Sequence, residues 1–80
     1  MRHDGLLEHS GFYLSITTQP VADGWLAWAT FERVRDFDKQ ESVVRAVRHR
    51  VKGIFESRGS AAAAARAYGI EAIDAGAVKL

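Results

Sequence analysis

The chain contains no cysteine, a single proline and a single methionine. Without cysteine there is no disulfide scaffold, no thiolate zinc site and no cysteine nucleophile. A domain this small that manages without disulfides fits a reducing compartment, so the expected location is cytoplasmic. No apolar run approaches the ~18 residues needed to span a bilayer. The opening residues, MRHDGLLEHSG, are broken by acids and histidines and lack the apolar stretch of a secretion signal. A dominant charge is missing as well. Eleven Lys and Arg stand against ten Asp and Glu, for a net charge of +1, so no global field selects nucleic acid or anionic membrane. Any electrostatic role requires charge segregated locally. Nor is there a glycine-rich phosphate loop, a nucleophile elbow or a Ser-His-Asp grouping. An enzyme is not expected, and no cofactor or small-molecule substrate is implied.

What is present is globular in character: 48% hydrophobic and 26% charged residues over 80 positions. One domain is expected, with a thin stability margin, because a chain of this length buries only about 60% of its extended surface. The expected parts are a flexible N-terminal arm over 1–10, a single domain over 11–76 and a tail over 77–80. In the arm, polar residues surround a lone Leu6-Leu7 pair.

Phe12, Leu14 and Ile16 alternate with Tyr13, Ser15 and Thr17, the period-2 pattern of a strand near 11–19. Pro20 is expected to end it, and Ala22-Asp23-Gly24 supplies turn chemistry. Trp25, Ala27, Ala29 and Phe31 then alternate with Leu26, Trp28, Thr30 and Glu32 in a second strand near 24–35. So short a connection makes the pair antiparallel.

The next segment, SVVRAVRHRVKGIF over 42–55, fits two periodicities. As a helix it gathers Val43, Val44, Val47, Val51, Ile54 and Phe55 on one arc of about 120°, and Asp38 with Glu41 has capping-box spacing. As a strand it puts Val43, Val47, Val51 and Phe55 on one face and Arg48, Arg50 and Lys52 on the other. Valines lose rotamer freedom in helices and favour strands, and Gly53 costs a helix about 1 kcal/mol relative to alanine. The following segment decides for the strand. Ser60 reads as an N-cap and Ala61–Ala65 as a strong helix former, running to a stop near Asp74-Ala75-Gly76 with Gly76 at C′. Its stripe of Ala61, Ala65, Tyr68, Ala72 and Ile73, with Gly69 allowing close approach, needs a sheet face to cover, and three strands provide a better one than two.

The expectation is therefore an α+β fold, a three-stranded antiparallel sheet packed on one C-terminal helix (β-β-β-α), with strands near 11–19, 24–35 and 43–56 and a helix near 60–74. The alternative, β-β-α-α, replaces the third strand by a helix over 39–57. The expected core is Phe12, Leu14, Ile16, Trp25, Ala29, Phe31, Val47, Val51, Phe55, Ala65, Tyr68 and Ala72.

The stretch FESRGSAAAAARAYGIEAIDAG, from Phe55 to Gly76, resembles the C-terminal half of small uncharacterised β-proteobacterial proteins. Their pattern is a strand ending in Phe-x-Thr/Ser, a helix with alanine spacing, an aromatic-Gly pair and a closing Ile-Asp-Gly. Here these fall on Phe55, Ser57, Ala61, Tyr68-Gly69 and Ile73-Asp74, and the turn from Ala22 to Trp25 is similar too. The match covers about a quarter of the chain. The sequence departs from the pattern at Arg58-Gly59, where such proteins tend to carry glutamates. The resemblance implies three antiparallel strands followed by one helix, and it implies no activity.

Three constellations invite a chemical reading. Arg48, Arg50 and Lys52 share a strand face with Tyr13, Ser15, Thr17, Trp28 and Thr30. Cations beside aromatics can form a platform for single-stranded nucleic acid. The same residues equally make a solvated sheet face or a surface for a protein partner, since an outward tryptophan asks for something to pack on. Second, Met1 and His3 could chelate Cu(II) or Ni(II) through the amino terminus, intervening amides and the imidazole. His3 and His9 match no zinc spacing, and His49 reads as an ordinary polar contact at the sheet, so no metal role is assigned. Third, Asp36 and Asp38 are two apart but lie where a turn is expected, beside Arg35 and Lys39, without a pocket to separate their acidities. The candidate surface is thus Tyr13, Trp28, Arg48, Arg50 and Lys52. It belongs to a protein-interaction or self-associating module, acting on an unknown protein or as a homodimer. The alternative is a weak, sequence-tolerant binder of single-stranded nucleic acid.

Overall fold

A computed structural model describes residues 2–34 and 46–78. Four strands run β1 (Arg2–His9), β2 (Phe12–Val21), β3 (Gly24–Arg33) and β4 (Ala46–Phe55), followed by one helix, α1 (Arg58–Asp74). The sheet is an antiparallel meander in the order β1-β2-β3-β4. The α+β class and the terminal helix agree with the sequence reading, but the sheet has four strands rather than three.

The additional strand, Arg2–His9, lies within the stretch expected to be a flexible arm. His9 pairs with Phe12 across a two-residue turn, with Ser10 at φ 49° and Gly11 at φ 86°. Positive φ at both central positions is the type I′ geometry whose twist matches paired strands. Leu7 then faces inward opposite Leu14, while Leu6 and Glu8 face outward beside Ser15 and Tyr13. One extra residue, Asp4, is accommodated by a bulge between His3 and Gly5.

Pro20 does not end its strand either. It lies within β2 opposite Trp25. The described pairing of β1 with β2 starts at Arg2↔Thr18, so no described residue pairs with Pro20 on that side and no ladder bond among the described residues is lost there. The strand reading of the ambiguous segment holds over 46–55, which rules out a helix there. Residues 43–45 lie outside the described residues, as do Asp36, Asp38 and the turn expected around them. In β4 a bulge lengthens the path between Val51 and Phe55, which pair with Ala27 and Trp25. The bulge keeps Phe55 on the same face as Val51.

Inward-facing Leu14, Ile16, Ala27, Ala29, Phe31 and Val51 meet Ala61, Ala65, Ala72 and Ile73 of α1 in the core. Thr18, not anticipated, is also fully buried, its hydroxyl bonded to the Asp4 carboxylate. Phe12, Trp25 and Phe55 pack at the core's margin, half-buried, and Val47 is likewise only half-buried. Tyr68 departs furthest from expectation. It is 36% exposed, with its hydroxyl hydrogen-bonded to His49 Nδ1 at 2.8 Å, because its ring lies at the edge of the sheet over β4 rather than beneath the helix. An aromatic with a polar tip is stable in that position.

The helix begins earlier than the alanine run suggests. Ser57, not Ser60, is the N-cap, and its Oγ accepts from the Ser60 N–H at 3.0 Å. At the other end Gly76 adopts φ 69°, its N–H donates to Ile73 O at 3.1 Å, and the Ala77 N–H donates to Ala72 O at 2.9 Å. This is the Schellman closure foreseen from Gly76 at C′. Ala77 therefore belongs to the helix stop, and Val78 packs against the core, so the expected tail is tied down as far as residue 78. His9 Nε2 and Asp74 Oδ1, 2.8 Å apart, link the end of β1 to the end of α1.

Candidate functional site

Among the described residues, α1 covers one face of the sheet and no element covers the other. On the open face the register sets out three rows across the strands. Glu8, Tyr13, Glu32 and Ala46 form the first, Leu6, Ser15, Thr30 and Arg48 the second, and Thr17, Trp28 and Arg50 the third. Four of the five candidate residues, Tyr13, Trp28, Arg48 and Arg50, thus share this face as expected. Lys52 is exposed at the β4 bulge, beyond the regular ladder.

The Arg48 guanidinium carbon lies 4.6 Å from the centre of the Trp28 ring. A cation over an indole face gains from the ring quadrupole, and the long arginine stem shields apolar surface. The tryptophan expected to seek a partner is therefore partly satisfied within the chain, and one side of its ring carries the guanidinium. Arg50 stands directly across the ladder from Trp28 and is exposed. The Thr17 hydroxyl, opposite Trp28 on the other side, is buried and has no hydrogen-bond partner among the described residues.

Two outward acids, which the sequence reading did not include in the surface, change its character. Glu8 and Glu32 flank Tyr13, and a small depression of about 210 Å³ lined by Leu6, Tyr13, Ser15 and Glu32 opens beside them. The open face thus has an acidic corner over β1–β3 and a basic flank on β4. The signal was in the alternation of Leu6, Leu7 and Glu8, which becomes legible once Ser10-Gly11 is read as a hairpin turn. Leu6 is 59% exposed, the most exposed large hydrophobic residue described.

On the helix side, a larger cleft of about 620 Å³ lies between α1 and β1, lined among others by Gly5, Leu7, Ala62, Arg66 and Ile70. It exists because α1 sits over β2 and β3, and because glycine and alanine leave space where larger side chains would meet. Asp4 borders it. Its side chain is 10% exposed, bonds the Thr18 hydroxyl and lies 3.6 Å from the Arg58 guanidinium, so its charge is already answered within the fold.

No group of three His, Cys, Asp or Glu side chains with metal-binding geometry occurs among the described residues. The Met1–His3 chelate falls outside the described residues and side chains. Among the described residues no helix is long and apolar enough to cross a membrane. No protein-family model, curated protein or solved structure matches this chain.

Proposed function

We propose that the protein is a non-enzymatic, cytoplasmic interaction module whose contact surface is the open sheet face bearing Tyr13, Trp28, Arg48, Arg50 and Lys52. The observation that carries this is the pairing of Arg48 with Trp28 on a face that also holds Glu8 and Glu32. A phosphate-tracking platform needs rings free to stack and a surface of one sign. Here the indole already carries a guanidinium and two carboxylates stand on the same face. A mixed-charge, aromatic surface is instead the composition of a protein contact, with tyrosine, tryptophan and arginine as anchors.

The competing reading, a weak binder of single-stranded nucleic acid, draws on the same three cations. They could neutralise about three phosphates, for a salt slope of roughly −2 at about −0.7 per contact. Titration with a single-stranded oligonucleotide at two salt concentrations separates the readings. We expect no submicromolar complex at physiological salt. Such a complex, abolished by the combined Arg48→Ser, Arg50→Ser and Lys52→Ser substitutions in a protein that remains folded, would overturn the proposal. Those exposed positions should each shift stability by only about 0.5 kcal/mol or less.

A further inference from the structure

We infer that the partner of the open face is a second copy of this chain, packed sheet to sheet with the basic flank of each copy on the acidic corner of the other. The inference rests on the interaction-module reading and names its partner. Its basis is that one face carries both halves of a complementary contact. Glu8 and Glu32 flank Tyr13 in the row at one end of the face, across β1–β3, and Arg48 and Arg50 stand on β4 in the two rows beyond it, Arg50 diagonally opposite Glu8.

A two-fold axis passing over the middle of the face, near Thr30 and Trp28, exchanges these two regions, so every contact is made twice. The depression beside Tyr13, lined by Leu6, Tyr13, Ser15 and Glu32, then receives an arginine from the other copy. A guanidinium there meets the Glu32 carboxylate beside the Tyr13 side chain, a carboxylate and an aromatic both being groups it binds well. Exposed Leu6 is covered in the same contact. Sheets do pack face to face, their strands aligned or crossed, about 10 Å apart.

The edges of the sheet are less suited to this role. Edge-to-edge pairing of β4 with its own copy would bring Arg48 and Arg50 against like charges, and its bulge interrupts the ladder. On β1 the bulge at Asp4 breaks the free edge within three residues of its start. The face is modest in extent. Four strands at about 4.8 Å spacing and three rows along them span roughly 20 Å each way, which places the contact at the low end of specific interfaces. The dimer is therefore weak, assembled at micromolar concentrations and looser as salt rises.

Sedimentation equilibrium from low to high micromolar concentration tests this with two charge-reversed proteins, Arg48→Glu with Arg50→Glu, and Glu8→Arg with Glu32→Arg. The wild type is expected to dimerise, and each reversed protein alone to associate at least about tenfold more weakly, because like charges then face each other. An equimolar mixture of the two should regain the wild-type affinity, since both symmetric contacts become complementary again. That recovery also shows that both variants are folded. A wild type that stays monomeric overturns the inference. If it stays monomeric yet binds the oligonucleotide tightly, the interaction-module reading falls with it. If it binds neither, the self-association alone is refuted. A dimer indifferent to both reversals places the contact elsewhere and overturns the inference too.

Discussion

Gly69 should be the position where adding one methyl group reports most directly how α1 sits on the sheet. In isolation, Gly→Ala inside a helix gains about 0.8–1 kcal/mol from propensity. Gly69 is buried midway along the helix, however, and a Cβ built there would lie 2.5 and 2.6 Å from the two Leu14 methyls and 3.1 Å from Leu14 Cγ. Leu14 is fully buried, and because both branches and the branch point are crowded, turning one methyl away does not clear the contact. The helix must lift or Leu14 must leave its rotamer, and overpacking of this kind costs about 1–3 kcal/mol. The clash outweighs propensity, so Gly69→Ala should destabilise by about 1 kcal/mol in urea unfolding, with an unchanged dependence on denaturant. In a Leu14→Val background both crowding methyls are gone, and the same substitution should become neutral or stabilising, a coupling of about 1–2 kcal/mol. Gly59 is the control. An added Cβ there meets nothing closer than Ser57 Oγ at 3.8 Å, and Gly59→Ala should stabilise by a few tenths to about 1 kcal/mol. If Gly69→Ala stabilised the wild-type protein by the full propensity gain, or behaved identically in both backgrounds, the helix would not press on Leu14 and the packing argument would fail.

Phe31 is fully buried, and Phe31→Ala should cost about 3–5 kcal/mol, close to the entire stability of a domain this size. Circular dichroism should show a largely unfolded protein, and a melting point within a few degrees of wild type would refute its placement. Gly24→Ala should be nearly as damaging for a different reason. Its φ is +146°, and a Cβ would fall 2.3 Å from the Phe55 carbonyl oxygen, a backbone atom that cannot rotate away. A fully stable Gly24→Ala protein would mean that the end of β4 does not close on the β2–β3 turn.

Much of the fold could be read locally. The alternation through Phe12–Thr17 and Trp25–Glu32 assigned inward and outward faces that the register reproduces, because a strand's period of two is a property of the backbone itself. The helix stop at Gly76 was legible for a similar reason, since a left-handed C′ residue is chemically marked. The candidate surface was legible in part: Tyr13, Trp28, Arg48 and Arg50 follow from the same parity.

The rest depended on pairing between distant residues. Arg2–His9 has too few apolar residues to announce a strand, and it becomes one because β2 offers an open edge and the Ser10-Gly11 turn returns the chain to it. That pairing, rather than any feature of the segment alone, brings Glu8 and Leu6 onto the face of Trp28 and makes the surface mixed in charge. Periodicity likewise left residues 46–55 undecided between helix and strand. Pairing with β3 decided it, because Val47, His49 and Val51 complete the sheet under Tyr68 and the helix, whereas an isolated segment gains nothing from that burial. The local sequence determined which side of each element is apolar. Tertiary packing decided which elements meet, since the free energy of burial exists only once a second surface is there to exclude the water.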